Sequence, residues 1–120
     1  MKPVHWTGSS KEDLQSFPRE VIHNIGFALT TAQHGGKHPS AKPLQGFRGA
    51  SVLEIVENHD GDTYRAVYTV RFAEAIYVLH AFKKKSKRGT ETPQHDVNLI
   101  KTRLTRAQED YKQWLTAGNP

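Results

Sequence analysis

The chain has 120 residues, 36% of them apolar and 24% charged, which suits one globular domain with a modest core and excludes the composition of a disordered segment. It contains no cysteine, so disulfides and thiolate chemistry are excluded. The net charge of +5 is uneven: residues 1–60 balance six Lys/Arg against six Asp/Glu, and residues 61–120 carry eleven against six, five of these cations falling within Lys83–Arg88. Such a field favours a polyanionic partner, either nucleic acid or an acidic protein.

Along the chain, Val4–Trp6 reads as a short first strand. Ser9-Ser10 then offers N-cap hydroxyls before a helix over Lys11–Phe17, with Glu12 and Asp13 in its positive first turn. Pro18 opens a second helix whose apolar stripe is Val21/Ile22, Ile25, Ala28/Leu29 and Ala32, stopped by Gly35-Gly36. The Gly-, Pro- and Lys-rich stretch Gly35–Gly49 reads as a long loop.

Strands follow over Ser51–Glu57, Thr63–Phe72 and Ala75–Lys83, the first two joined by the hairpin signal Asp60-Gly61. Thr92-Pro93 starts a long C-terminal helix with Val97, Ile100, Leu104, Ala107, Tyr111 and Trp114/Leu115 on one stripe. The order β-α-α-β-β-β-α predicts a single α+β domain over residues 1–120. Its antiparallel sheet is packed by two N-terminal helices and a C-terminal helix. The longest apolar runs, such as Ala75–Leu79, are too short to span a membrane, and Met1–Gly8 lacks the apolar stretch of a signal peptide. A soluble cytoplasmic protein is expected.

Several stretches carry a family likeness: Tyr64-Arg65-Ala66-Val67-Tyr68, then Ile76-Tyr77-Val78-Leu79-His80-Ala81-Phe82-Lys83-Lys84-Lys85-Ser86, then Thr92-Pro93. Lys2-Pro3-Val4-His5-Trp6 and Glu54-Ile55 fit the same pattern. In order and spacing these resemble the phage-derived, HigB-like branch of the RelE/ParE toxin superfamily, over nearly the whole chain. The resemblance implies a RelE-like fold and a type II toxin, a ribosome-associated mRNA endoribonuclease held inactive by a helix-turn-helix antitoxin. ParE-like members instead poison gyrase without catalysis, and a phage RNA-binding regulator is a further reading, so the fold alone does not settle the target.

Metal-free RNA cleavage must deprotonate a 2′-OH, stabilise phosphorane charge and protonate the leaving 5′-oxygen. Clustered cations suit these tasks if neighbouring charge lowers a lysine pKa, which draws attention to Lys83, Lys84 and Lys85; family position supports Lys84 and Lys85. Arg65 and Arg71 suit phosphate clamping, because a guanidinium presents a fixed fork of donors. The expected catalytic set is Arg65, Lys83, Lys84 and Lys85. The expected RNA contacts are Arg48, Arg71, Lys87, Arg88 and, as a base-stacking ring, Tyr77.

If Ala73–Ala75 is a three-residue turn, Arg65 lies opposite Lys83, on a face shared with Val67, Thr69, Arg71, Tyr77, Leu79 and Ala81. A shorter turn moves Arg65 opposite Phe82. His80 reads as a hydrogen-bonded core histidine and Tyr68 as core. No clear general acid or base is visible. His34 and His38 have the spacing of a helical metal pair, but the glycines between them argue against a helix, so no metal site and no cofactor are expected. Pro43–Gly49 lacks the lysine-serine of a phosphate-binding loop.

Overall fold

The computed structural model describes residues 1–49, 51–84 and 92–118. The elements run β1 (Val4–Trp6), α1 (Ser10–Gln15), α2 (Arg19–Gln33), β2 (Ala41–Pro43), β3 (Val52–His59), β4 (Asp62–Thr69), β5 (Ile76–Lys84) and α3 (Gln94–Thr116). They form one α+β domain, a five-stranded sheet in the order β1-β5-β4-β3-β2 with helices on both faces. The β3-β4-β5 meander is antiparallel, as the alternating segments predict, and β1 joins β5 in parallel. Asp60 and Gly61 both take positive φ, 49° and 83°, which matches the twist of a two-residue hairpin.

The stripe on α2 buries Val21, Ile25, Ala28, Leu29 and Ala32. It packs with Leu14 and Phe17 against Leu53, Ile55, Tyr64, Ala66, Tyr68, Ile76 and Val78 on one sheet face. Burial of Tyr68 pushes its hydroxyl pKa up to about 12. The opposite face takes α3, whose Ile100, Leu104 and Ala107 cover Tyr77, Leu79 and Val67. Pro18 and Pro93 stand at the N-cap positions, with extended ψ of 146° and 149°, one residue before the helices that the sequence starts on them. The expected loop at Gly35–Gly49 contains β2, whose Lys42 pairs with Glu54 of β3. Three residues with a proline among them carry too little β signal to be seen from sequence.

The β4–β5 register departs from the three-residue-turn expectation of Arg65 opposite Lys83 and places Arg65 opposite Phe82, as the shorter-turn alternative has it. Thr69 lies opposite Tyr77 and Tyr68 opposite Val78, but Val67 lies opposite His80 and Arg65 opposite Phe82, with an irregularity between Val67 and Tyr68. One extra residue on β5 is a β-bulge, and beyond it every side chain changes face. The carbonyls at the bulge are satisfied from outside the sheet. Val78 accepts from the Thr7 and Ser10 hydroxyls at 3.0 and 3.2 Å, and Leu79 accepts from Arg103 at 3.0 Å.

Candidate functional site

Because of the bulge, Lys84 rather than Lys83 shares a face with Arg65. Lys84 lies opposite Thr63, two residues from Arg65 along β4, whereas Lys83 lies opposite Tyr64 on the other face. There Lys83 forms an ion pair with Asp62 at 3.0 Å and sits over the Tyr64 ring. The hydrogen bond and charge of Asp62 raise the Lys83 pKa. The expected lowering by neighbouring cations is therefore overturned for Lys83: its nearest charge is negative, and it remains protonated.

Arg65 also departs from expectation. It is 3% exposed and donates from Nη1 to Glu54 Oε2 at 3.0 Å. It is a buried member of an ion pair, not an exposed clamp, because β3 sets a carboxylate diagonally across from it on the same face. The same Glu54 oxygen accepts from the Thr92 hydroxyl at 3.0 Å. Strand β5 ends at Lys84, opposite Thr63, and Thr92, just before α3, is tied to the Arg65–Glu54 pair. Lys85, Lys87 and Arg88 lie outside the described residues.

Glu54 lines an open cleft of about 400 Å³ between the segment Lys42–Gly46 and the first two turns of α3, which contribute Gln94, Val97 and Lys101. The cleft lies where the first two turns of α3 stand beside the segment Lys42–Gly46, above the buried Leu44 and Val97. Leu44 and Val97 are its buried apolar walls, and Lys42 and Lys101 are exposed at its sides. Lys101 extends over the Phe47 ring at 6.0 Å. Gly46 takes φ of 95°, and a Cβ there would meet Val97 at 3.8 Å, so this glycine permits the turn that closes one side of the cleft. A carboxylate held by an arginine and a threonine, with lysines on either side, can accept a proton next to a bound anion. Sequence reasoning placed Glu54 in the family pattern but gave it no role. The signal was a lone acid in the apolar strand Val52–Val56.

Of the other expected contacts, Arg48 is exposed in the loop after the cleft. Arg71 is exposed beside Ser51, at 3.4 Å. It lies six residues from Arg65, roughly 20 Å along the strand direction, and the structure does not bring it to the cleft. Tyr77 is 1% exposed. Its ring packs edge-on against His5 and Phe72, and its hydroxyl donates to Asp110 at 2.6 Å. Burial, then the bond to Asp110, pushes its pKa up. A ring so enclosed by α3 cannot stack a base, and that expectation is corrected.

His80 is a buried, hydrogen-bonded histidine. Its Nε2 meets Asp96 Oδ1 at 2.7 Å, and its Nδ1 accepts from Arg103 Nη1 at 3.2 Å. Arg103 has only donors, so this pairing assigns the proton to Nε2. Burial dominates and lowers the His80 pKa, against the opposing pull of Asp96. The ring stacks on Phe82, the residue opposite Arg65, so it packs beside the site on the same sheet face. Among the described residues no group of His, Asp and Glu could hold a metal ion, and no helix is long and apolar enough to cross a membrane.

The fold and the site define a small α+β domain with a lysine-flanked cleft on one sheet face. Residues 12–105 match the family described as "Phage derived protein Gp49-like (DUF891)", and the chain belongs to that family. No curated protein sequence matches it significantly. Among solved structures, a chain of the toxin–antitoxin complex RelBE2 from Mycobacterium tuberculosis is similar, at 18% identity over 71% of this chain and 93% of that one, with a TM-score of 0.42.

Proposed function

We propose that this chain is the toxin of a type II toxin–antitoxin pair and cleaves mRNA on the ribosome without a metal. The observation that carries the reading is the carboxylate of Glu54, fixed by Arg65 and Thr92 inside a cleft flanked by Lys42 and Lys101. Membership of the phage-derived family supports it, as does the sequence resemblance to RelE-like toxins. The partners are an antitoxin with a helix-turn-helix domain and mRNA.

In this mechanism Glu54 accepts the proton of a ribose 2′-OH, and the 2′-oxygen attacks the adjacent phosphorus. The P–O2′ bond forms, the P–O5′ bond breaks, and a protonated lysine returns a proton to the departing 5′-oxygen. The products are a 2′,3′-cyclic phosphate and a 5′-hydroxyl. Lys42, Lys84 and Lys101 hold phosphate oxygens and stabilise the phosphorane. Lys85, Lys87, Arg88 and Arg48 are further cations proposed to contact RNA phosphates. Arg65 is a positioning residue that keeps the Glu54 carboxylate aimed. Lys84 and Lys85 supply the acid, whereas Lys83 is held by Asp62 away from this face.

The test is controlled expression in a bacterial host, with mapping of new 5′ ends. Growth arrest with new 5′-hydroxyl ends inside coding regions, lost on Glu54→Gln, supports the reading. Arrest with intact mRNA and gyrase-linked DNA breaks would refute it in favour of a gyrase poison, and binding of RNA without cleavage would reduce the protein to an RNA-binding regulator.

A further inference from the structure

We infer that Arg103, on α3 and outside the cleft, is a positioning residue for the cleavage: it holds the β5 bulge and so keeps Lys84 on the face of Glu54. The inference rests on the endoribonuclease reading and adds the residue through which that site is aimed. Strict alternation from Tyr77 would put Leu79, Ala81 and Lys83 on the α3 face. Instead Leu79 and His80 both turn to α3, while Ala81 packs on the α2 face. Every later side chain takes the other parity, so Lys84 joins Arg65 and stands opposite Thr63. Without the bulge the register that pairs Thr69 with Tyr77 and Tyr68 with Val78 would run on. It would set Lys83 opposite Thr63 in place of Lys84. The choice between two adjacent lysines therefore depends on the bulge.

Arg103 holds both bulge residues. Its Nη1 donates to the Leu79 carbonyl at 3.0 Å and to His80 Nδ1 at 3.2 Å. The Thr7 hydroxyl lies 3.3 Å from the same Leu79 carbonyl, but it has one hydrogen and its nearer acceptor is Val78 at 3.0 Å. Arg103 is thus the donor on which Leu79 depends, and a buried carbonyl left without one is costly. The other arm of the fork, Nη2, donates to Ser9 Oγ at 3.2 Å, and that hydroxyl donates to Asp13 at 2.7 Å. Gly8, with φ of 52°, lies against the guanidinium, where a Cβ would stand 2.8 Å from Nε and Nη2. The fork is fixed by β5, Ser9 and the Gly8 backbone together. Its described partners are a carbonyl, an imidazole and a hydroxyl, none a carboxylate. It acts here by hydrogen bonding at the bulge rather than as half of an ion pair.

The experiment measures single-turnover cleavage of mRNA on purified ribosomes by the full chain, with Lys83→Ala and Lys84→Ala each made in the parent and in Arg103→Met. In the parent only Lys84→Ala is inactivating. Arg103→Met alone cleaves roughly 10²-fold more slowly, as a misplacement of about 1 Å does, while its affinity for uncleavable 2′-O-methyl RNA stays within about twofold. The cleavage that remains changes less than about twofold on Lys84→Ala and falls at least about tenfold on Lys83→Ala. That exchange of lysines is a readout that simple loss of stability does not produce. Circular dichroism and thermal melts report folding. If Arg103→Met is too unstable to assay, Arg103→Lys decides, because it keeps stem and charge but cannot hold all three partners at once. Cleavage that still needs Lys84 and not Lys83 in the folded Arg103 variant overturns the inference and leaves the endoribonuclease reading standing. If neither variant folds, Arg103 serves the fold alone and the inference falls. A parent chain that cleaves no mRNA overturns both.

Discussion

Replacing Arg65 by alanine tests how the site is built, because it strikes stability and chemistry together. The guanidinium is 3% exposed, and the Glu54 side chain that pairs with it at 3.0 Å is 12% exposed. Removing the arginine leaves a largely desolvated carboxylate without that partner, a loss of about 3–5 kcal/mol for a buried pair. For a domain of this size each kcal/mol shifts the melting temperature by roughly 4 °C, so Arg65→Ala melts about 12–20 °C below the parent. Exposed Arg71→Ala stays within about 0.5 kcal/mol. The double variant Arg65→Met/Glu54→Leu removes both charges and melts higher than Arg65→Ala alone, since no buried charge is stranded. Thermal melts and urea titrations of the three variants provide the measurement. If Arg65→Ala melts within 3 °C of the parent, the pair is not a buried structural unit and the positioning role of Arg65 falls.

Other outcomes follow from the same geometry. The folded-state pKa of His80 is lowered by burial, so the unfolded chain binds more protons. Its contribution is present above the unfolded value of about 6.5 and is lost as pH falls from there through the lowered folded value. Stability measured from pH 7.5 to 5 therefore declines, and His80→Gln flattens that decline; an unchanged slope would contradict the assignment. Tyr77→Ala costs about 3–5 kcal/mol, as for other buried aromatic truncations, while the more conservative Tyr77→Phe leaves RNA affinity at the parent level in a filter-binding assay. Cleavage persists in EDTA and weakens steeply with salt, as counterion release demands; activity lost in chelator and restored by one divalent ion would sink the metal-free mechanism. Lys84→Ala abolishes cleavage in a gel assay, whereas Lys83→Ala retains it, because Lys83 projects from the opposite face toward Asp62 and Tyr64.

The sequence by itself determined the elements that follow local rules. The α2 and α3 stripes, the Asp60-Gly61 hairpin and the alternation of β3, β4 and β5 are all periodicities or turn chemistries that a short window contains. So are the core placements of Tyr68 and His80, whose neighbours along the strand are apolar. The clustering of cations in the second half was equally legible, since charge can be counted. Tertiary structure alone decided where those cations point. One extra residue in β5, stabilised by Thr7, Ser10 and Arg103 from elements distant in sequence, turned Lys84 toward Arg65 and Lys83 away from it. A bulge of that kind leaves no mark in strand composition. Only the docking of α3 on the sheet showed that Tyr77 is enclosed and that Glu54 stands at the edge of a cleft. Burial of Arg65 depends on a carboxylate eleven residues earlier lying diagonally across the ladder, a relation that pairing register creates and no single strand contains.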